Sequence, residues 1–103
     1  MSDSLTSCAA LITKHFQLPE EELAPYQSSE QDLENALASI INNLLNQDMT
    51  RLLNAFYKID LDESMFKKII SSEAPDQIGL TLAREVLKRE MQKVITREKY
   101  RNF

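Results

Sequence analysis

A regular apolar repeat between Ile78 and Ile95 constrains the fold of this chain more than any other feature. Its apolar residues recur at steps of three and four, the spacing of one face of an α-helix. They are Ile78, Leu82, Ala83, Val86, Leu87, Met91, Val94 and Ile95. A face of this width has to be buried against other elements. The pattern therefore predicts a long helix at the centre of the fold.

This predicted helix contains the only glycine of the chain, Gly79. A glycine inside a helix costs up to about 1 kcal/mol relative to alanine. We therefore expect a neighbouring helix to lie unusually close to Gly79.

Turn-forming residues are scarce, with one Gly and three Pro in 103 residues. Hairpins and tight β-turns depend on glycine, whereas helix-forming residues dominate here. Two independent cores would each be marginal in a chain of this length. We predict an all-α fold in which residues 1–103 form a single-domain bundle of about five helices.

Shorter apolar patterns predict the other helices and their ends. These run from about Ser4 to Phe16, from Ser28 or Ser29 to about Asn46, from Asp48 to Tyr57, and from Asp62 to Ser71 or Ser72. A continuous helix from Ser29 to Ile59 is the alternative to a break at Asp48. Residues 17–28 are predicted to be an irregular connection, in which Pro19 begins a single helical turn and Pro25 ends it.

Charge is distributed unevenly, with net −8 over residues 1–76 and net +4 over residues 77–103. Candidate nucleic-acid contacts in the basic segment are Arg84, Lys88, Arg89, Lys93 and Arg97. Most of the surface of so acidic a protein would repel a duplex. Because Glu85, Glu90 and Glu98 interleave with these cations, a solvated helix face is the favoured interpretation.

Few residues are suited to catalysis or metal binding. The chain has one His, His15, and one Cys, Cys8. We expect Cys8 to be a small core residue and His15 to be exposed or to cap a helix C-terminus. Asp60 and Asp62 alternate like the first ligands of a calcium loop, but Met65 stands where that loop needs glycine, so helix capping explains them better. We predict no catalytic residue, no cofactor, no metal and no enzyme activity.

The N-terminal residues lack the basic start and apolar run of a signal peptide, and no apolar run approaches the ~20 residues of a membrane span. A single cysteine also excludes an intramolecular disulfide. We therefore expect a cytoplasmic protein that does not enter a membrane.

Two strings resemble a small bacterial family of helical proteins that has no assigned activity. They read LLNAFYKIDLDE at residues 52–63 and LKREMQKVITREKY at residues 87–100. The family pattern has a segment like LLYRID followed by a helix that ends like ERQLQKIKTRxxF. The likeness covers residues 46–100, with departures at residues 56–58 and 88–91. The resemblance implies a helical domain and carries no site residues over.

Two functional hypotheses follow. The first is a non-catalytic interaction or regulatory module whose partner is a protein, either a second copy in a homodimer or another chain, and it requires an uncovered apolar patch. The alternative is a nucleic-acid-associated protein that binds through the basic C-terminal helix, and it requires a contiguous basic surface.

Overall fold

The computed structural model describes residues 2–101. In this range the chain forms α1 (Ser2–Phe16), α2 (Glu30–Gln47), α3 (Met49–Ile59), α4 (Glu63–Ser72) and α5 (Pro75–Arg101), and a short 3-10 turn at Ala24–Tyr26. The prediction of an all-α bundle of about five helices is confirmed.

Helix α5 is the central element, as its apolar repeat predicts. It packs against each of the other four α-helices. Leu82, Ala83 and Val86 are completely buried, and the buried positions of α5 end at Val94. Ile95 was expected on the buried face, and this was wrong, because its side chain is 55% exposed. The helix has 27 residues, about 40 Å at the usual rise, and it spans nearly the whole 42 Å length of the molecule.

Helices α2 and α5 form the most extensive pair, and they run antiparallel. Asn42 of α2 lies against Gly79 of α5. Glu34, which comes earlier in α2, contacts Arg84, which comes later in α5. A Cβ atom placed on Gly79 would lie only 2.6 Å from Cγ of Asn42. The predicted close approach at Gly79 is confirmed.

Aspartates define the helix ends around α3. Asp48 separates α2 from α3 and accepts a hydrogen bond from the Arg51 backbone N–H at 3.1 Å, so the predicted break is confirmed. Helix α3 continues to Ile59, two residues beyond the predicted end at Tyr57. Asp60 adopts a left-handed conformation with φ of 68° at the end of α3, and the Asp62 side chain caps α4. The capping interpretation of Asp60 and Asp62 is therefore confirmed.

The connection between α1 and α2 is irregular, as predicted. One hydrogen-bonded turn begins at Pro19, whose carbonyl accepts from the Glu22 N–H at 3.0 Å. Pro25 was expected to end this turn, but it lies inside the separate 3-10 turn because proline suits its first positions. Leu23 is completely buried and holds the connection against the bundle.

Candidate functional site

Three of the five candidate nucleic-acid contacts on α5 lie beside carboxylates. Arg84 Nε donates to Glu34 Oε1 at 2.9 Å, Arg89 contacts Asp60 at 3.4 Å, and Lys93 Nζ lies 3.6 Å from Glu90 Oε1. The order of Glu85 and Arg89 in the sequence favours an (i, i+4) ion pair, and Lys93 or Arg97 is the partner that the sequence suggests for Asp60. Neither pair forms, because the turn after α3 places Asp60 beside Arg89.

The five candidate nucleic-acid contacts also lie on two sides of α5. Successive residues of a helix are turned by about 100°, so Arg84 and Lys88 share one side, while Arg89, Lys93 and Arg97 lie on roughly the opposite side. The five positions therefore do not all share one side of the helix.

A buried contact between a histidine and a carboxylate links α1 to α5. His15 Nδ1 lies 2.6 Å from Glu90 Oε2, with the Glu90 side chain completely buried and that of His15 16% exposed. Two expectations were wrong here: His15 is neither an exposed nor a capping residue, and Glu90 does not belong to a solvated face. An ionised carboxylate only accepts hydrogen bonds, so with Glu90 ionised the proton of this bond resides on Nδ1.

The other oxygen of the Glu90 carboxylate is poorly satisfied. Oε1 is buried and has no hydrogen-bond partner, and its nearest cation is Lys93 at 3.6 Å. Such a group costs free energy in an apolar interior. The contact between His15 and Glu90 is therefore weak evidence that Glu90 serves only to stabilise the fold.

A polar cavity of about 380 Å³, here called the His15 cavity, opens beside the His15 ring. It lies between the C-terminal end of α1 and helix α3. Its polar lining includes His15, Asp48, Thr50, Arg51, Asn54 and Lys58. Nδ1 of His15 is occupied by Glu90, so Nε2 is the ring nitrogen that remains for a ligand.

Arg51 fixes one wall of the His15 cavity. Its Nη2 donates to the Phe16 carbonyl at 2.9 Å and to the Gln17 carbonyl at 2.7 Å, and its Nε donates to Phe16 at 3.2 Å. These are carbonyls at the C-terminal end of α1, where a cation is favourable. Gln17 has a positive φ of 57°, which turns the chain at this point. Arg51 thereby couples the end of α1 to the start of α3.

Cys8 is completely buried in the core, as expected. Burial, and then the negative charges of Glu90 and Glu30, raise the pKa of its thiol from 9.0 to about 12. Cys8 is therefore a protonated, unreactive thiol at neutral pH.

An uncovered apolar groove, here called the α3–α4 groove, lies on another side of α3. Its apolar lining is Leu53, Phe56, Tyr57, Leu61 and Phe66, and its volume is about 280 Å³. Leu53 is 43% exposed and Tyr57 is 87% exposed. Asp62 and Glu63 line the same groove and make its edge acidic. Asn54 and Tyr57 of α3 line both the groove and the His15 cavity.

Sequence reasoning missed Glu90, although the sequence contained a signal for it. Glu90 lies four residues after Val86 and four before Val94, on the apolar stripe of α5. A carboxylate at such a position needs a buried partner. The only histidine of the chain was a candidate for that partner.

No protein-family model, no curated protein and no solved structure matches this chain. The resemblance to a bacterial helical family therefore stays a prediction.

Between residues 2 and 101, no helix is both long and apolar enough to cross a membrane. Over the same part of the chain, no three His, Cys, Asp or Glu side chains come together as metal ligands would.

Proposed function

We propose that this protein is a non-catalytic helical interaction module that pairs with a second copy of itself through the α3–α4 groove. The observation that carries the proposal is the groove itself, where Leu53 and Tyr57 expose large apolar side chains next to Leu61 and Phe66. Contiguous exposed apolar surface with a polar edge is typical of protein interaction sites.

The end of α5 has the chemistry that the groove would accept. Residues 95–100 are all exposed, and Ile95 presents 55% of its surface to solvent. Arg97 and Lys99 make this end basic, whereas Asp62 and Glu63 make the groove edge acidic. An apolar side chain flanked by cations complements an apolar groove flanked by carboxylates.

A two-fold dimer would use this complementarity twice. The end of α5 from each copy would enter the groove of the other, so each copy contributes the same two surfaces. A cytoplasmic location belongs to the same proposal and is supported by a single, buried free thiol.

The test is size-exclusion chromatography with light scattering at low and moderate salt, with and without a mixed-sequence oligonucleotide. We expect a dimer that ignores the oligonucleotide and that moderate salt weakens only slightly, because salt screens the exposed charges at the groove edge but not the apolar contacts. A monomer at every protein concentration would overturn the proposal. A monomer that co-elutes with the oligonucleotide only at low salt would favour the basic-helix alternative.

Substitutions inside and outside the α3–α4 groove test which surface forms the dimer. Leu53→Glu in the groove and Ile95→Glu at the end of α5 should each give a monomer that keeps the helical circular dichroism spectrum. Ile70→Glu is the control, because Ile70 is 37% exposed, close to the 43% of Leu53, but lies outside the groove. A dimer that survives Leu53→Glu, or one that Ile70→Glu disrupts equally, would contradict the assignment.

A further inference from the structure

We propose that the His15 cavity binds a phosphate group, as the free ion or as part of a small phosphorylated molecule. This site adjoins the pairing surface proposed above and shares Asn54 and Tyr57 with it, but neither proposal depends on the other. The cavity has about 380 Å³ of space, near the lower end of the range for small-molecule sites.

The charge of the lining favours an anion. Arg51 and Lys58 outnumber the single carboxylate, Asp48, in a chain whose net charge is −4. The Asp48 carboxylate is also engaged, since its Oδ1 accepts the Arg51 backbone N–H at 3.1 Å. The charged side chains that line the cavity, Arg51, Lys58 and Asp48, therefore carry one net positive charge in an acidic protein, which favours anions.

His15 places a polar ring beside the cavity. Glu90 Oε2 lies 2.6 Å from Nδ1 of this ring. Nε2 is the ring nitrogen that Glu90 leaves unoccupied, and it can share a hydrogen bond with a phosphate oxygen or with a phosphate hydroxyl.

The remaining donors suit a phosphate with several oxygens. Arg51 is fixed by its bonds to the Phe16 and Gln17 carbonyls, and a guanidinium has further N–H groups beyond those that make these bonds. The Thr50 hydroxyl and the Asn54 amide also line the cavity. Lys58 is exposed and contributes a second cation to the lining.

The test exploits the fact that His15 is the only histidine. Its Cε1–H proton gives one resonance in the NMR spectrum of the untagged protein. Inorganic phosphate and glycerol phosphate are titrated separately at about pH 7, with sodium chloride at matched ionic strength as reference. We expect a saturable shift of this resonance with phosphate that chloride does not produce. Tighter binding of the ester would identify a phosphorylated small molecule, and equal binding would identify the free ion.

Two lysine variants decide whether phosphate binds in the His15 cavity. Lys58→Ala removes a cation of the cavity and should weaken binding about fivefold, the effect of one partly exposed charge pair. Lys67→Ala removes an exposed lysine of α4 that pairs with Glu63 outside the cavity, and should leave binding unchanged. The absence of a saturable shift, or a shift that Lys58→Ala leaves intact or that both variants weaken equally, would overturn the proposal.

Discussion

At the scale of single residues, the buried pair of His15 and Glu90 is the most unusual feature of this protein. A carboxylate with no exposed surface is rare unless it is paired. Replacing both partners of such a pair by apolar residues is often neutral, whereas removing one partner leaves a charge without compensation. Removing one partner should therefore cost more stability than replacing both.

We expect His15→Ala to lower the free energy of unfolding by about 3 kcal/mol, because it leaves the Glu90 carboxylate buried beside only Lys93. Adding Glu90→Leu to that variant should restore most of the loss. Urea denaturation of the two single variants and the double variant measures this cycle. Additive effects, within about 0.5 kcal/mol, would mean that the two side chains are not coupled.

Cys8 provides a second prediction at this scale. Its folded-state pKa of about 12 lies above the ordinary 9.0, so the unfolded chain loses its thiol proton first as the pH rises. Stability is therefore unaffected by this group below about pH 9 and decreases between about 9 and 12. Cys8→Ser should remove this part of the alkaline destabilisation, as measured by urea denaturation across that range.

The same burial should protect the Cys8 thiol from disulfide reagents. We expect labelling in native conditions to be slow and labelling in urea to be fast. The control is Ala10→Cys in a Cys8→Ser background, since residue 10 is an exposed position on the same helix. Equal native rates at the two positions would show that Cys8 is accessible.

At the scale of the helices, the contact between α2 and α5 depends on the absence of a side chain at Gly79. Alanine is favoured over glycine inside a helix by up to about 1 kcal/mol. The Asn42 side chain occupies the space that a Cβ at this position would need. Helix propensity and packing therefore oppose each other at Gly79.

We expect Gly79→Ala to gain little or no stability in the native sequence, because the Asn42 side chain must move. In an Asn42→Ala background, the same substitution should raise the free energy of unfolding by about 1 kcal/mol. Thermal denaturation of both single variants and the double variant gives the comparison. An equal gain in both backgrounds would contradict the close contact.

At the scale of the whole molecule, α5 extends beyond the helices that cover it. Its centre contacts four other helices, but residues 95–100 are all exposed. Exposed helix ends open far more readily than buried centres. Amides at residues 97–99 should therefore exchange with solvent quickly at low protein concentration, while those at residues 82–90 exchange near the rate set by global unfolding.

The proposed dimer adds a concentration dependence to this pattern. Raising the protein concentration should slow exchange at residues 97–99 and at residues 53–61 together, because both surfaces become covered. Hydrogen exchange measured by mass spectrometry at two concentrations tests this. Protection of one segment without the other would argue against reciprocal docking.

The sequence by itself determined the helices, because their signals are local. The three- and four-residue spacing of apolar side chains located α5, and the capping aspartates Asp48 and Asp62 located the ends of its neighbours. Even the close approach at Gly79 could be inferred, since a glycine inside a helix needs a reason. Each of these features depends on residues a few positions apart.

Only the tertiary structure decided which distant side chains meet. His15 and Glu90 are 75 residues apart, and Arg51 lies 35 residues from the carbonyl of Phe16 to which it donates. The pairing of Arg89 with Asp60 rather than Glu85 likewise depends on where the turn after α3 lies. Hydrophobic periodicity states which face of a helix is buried but not against which residues. For that reason the His15 cavity and the α3–α4 groove emerge only when the five helices are assembled.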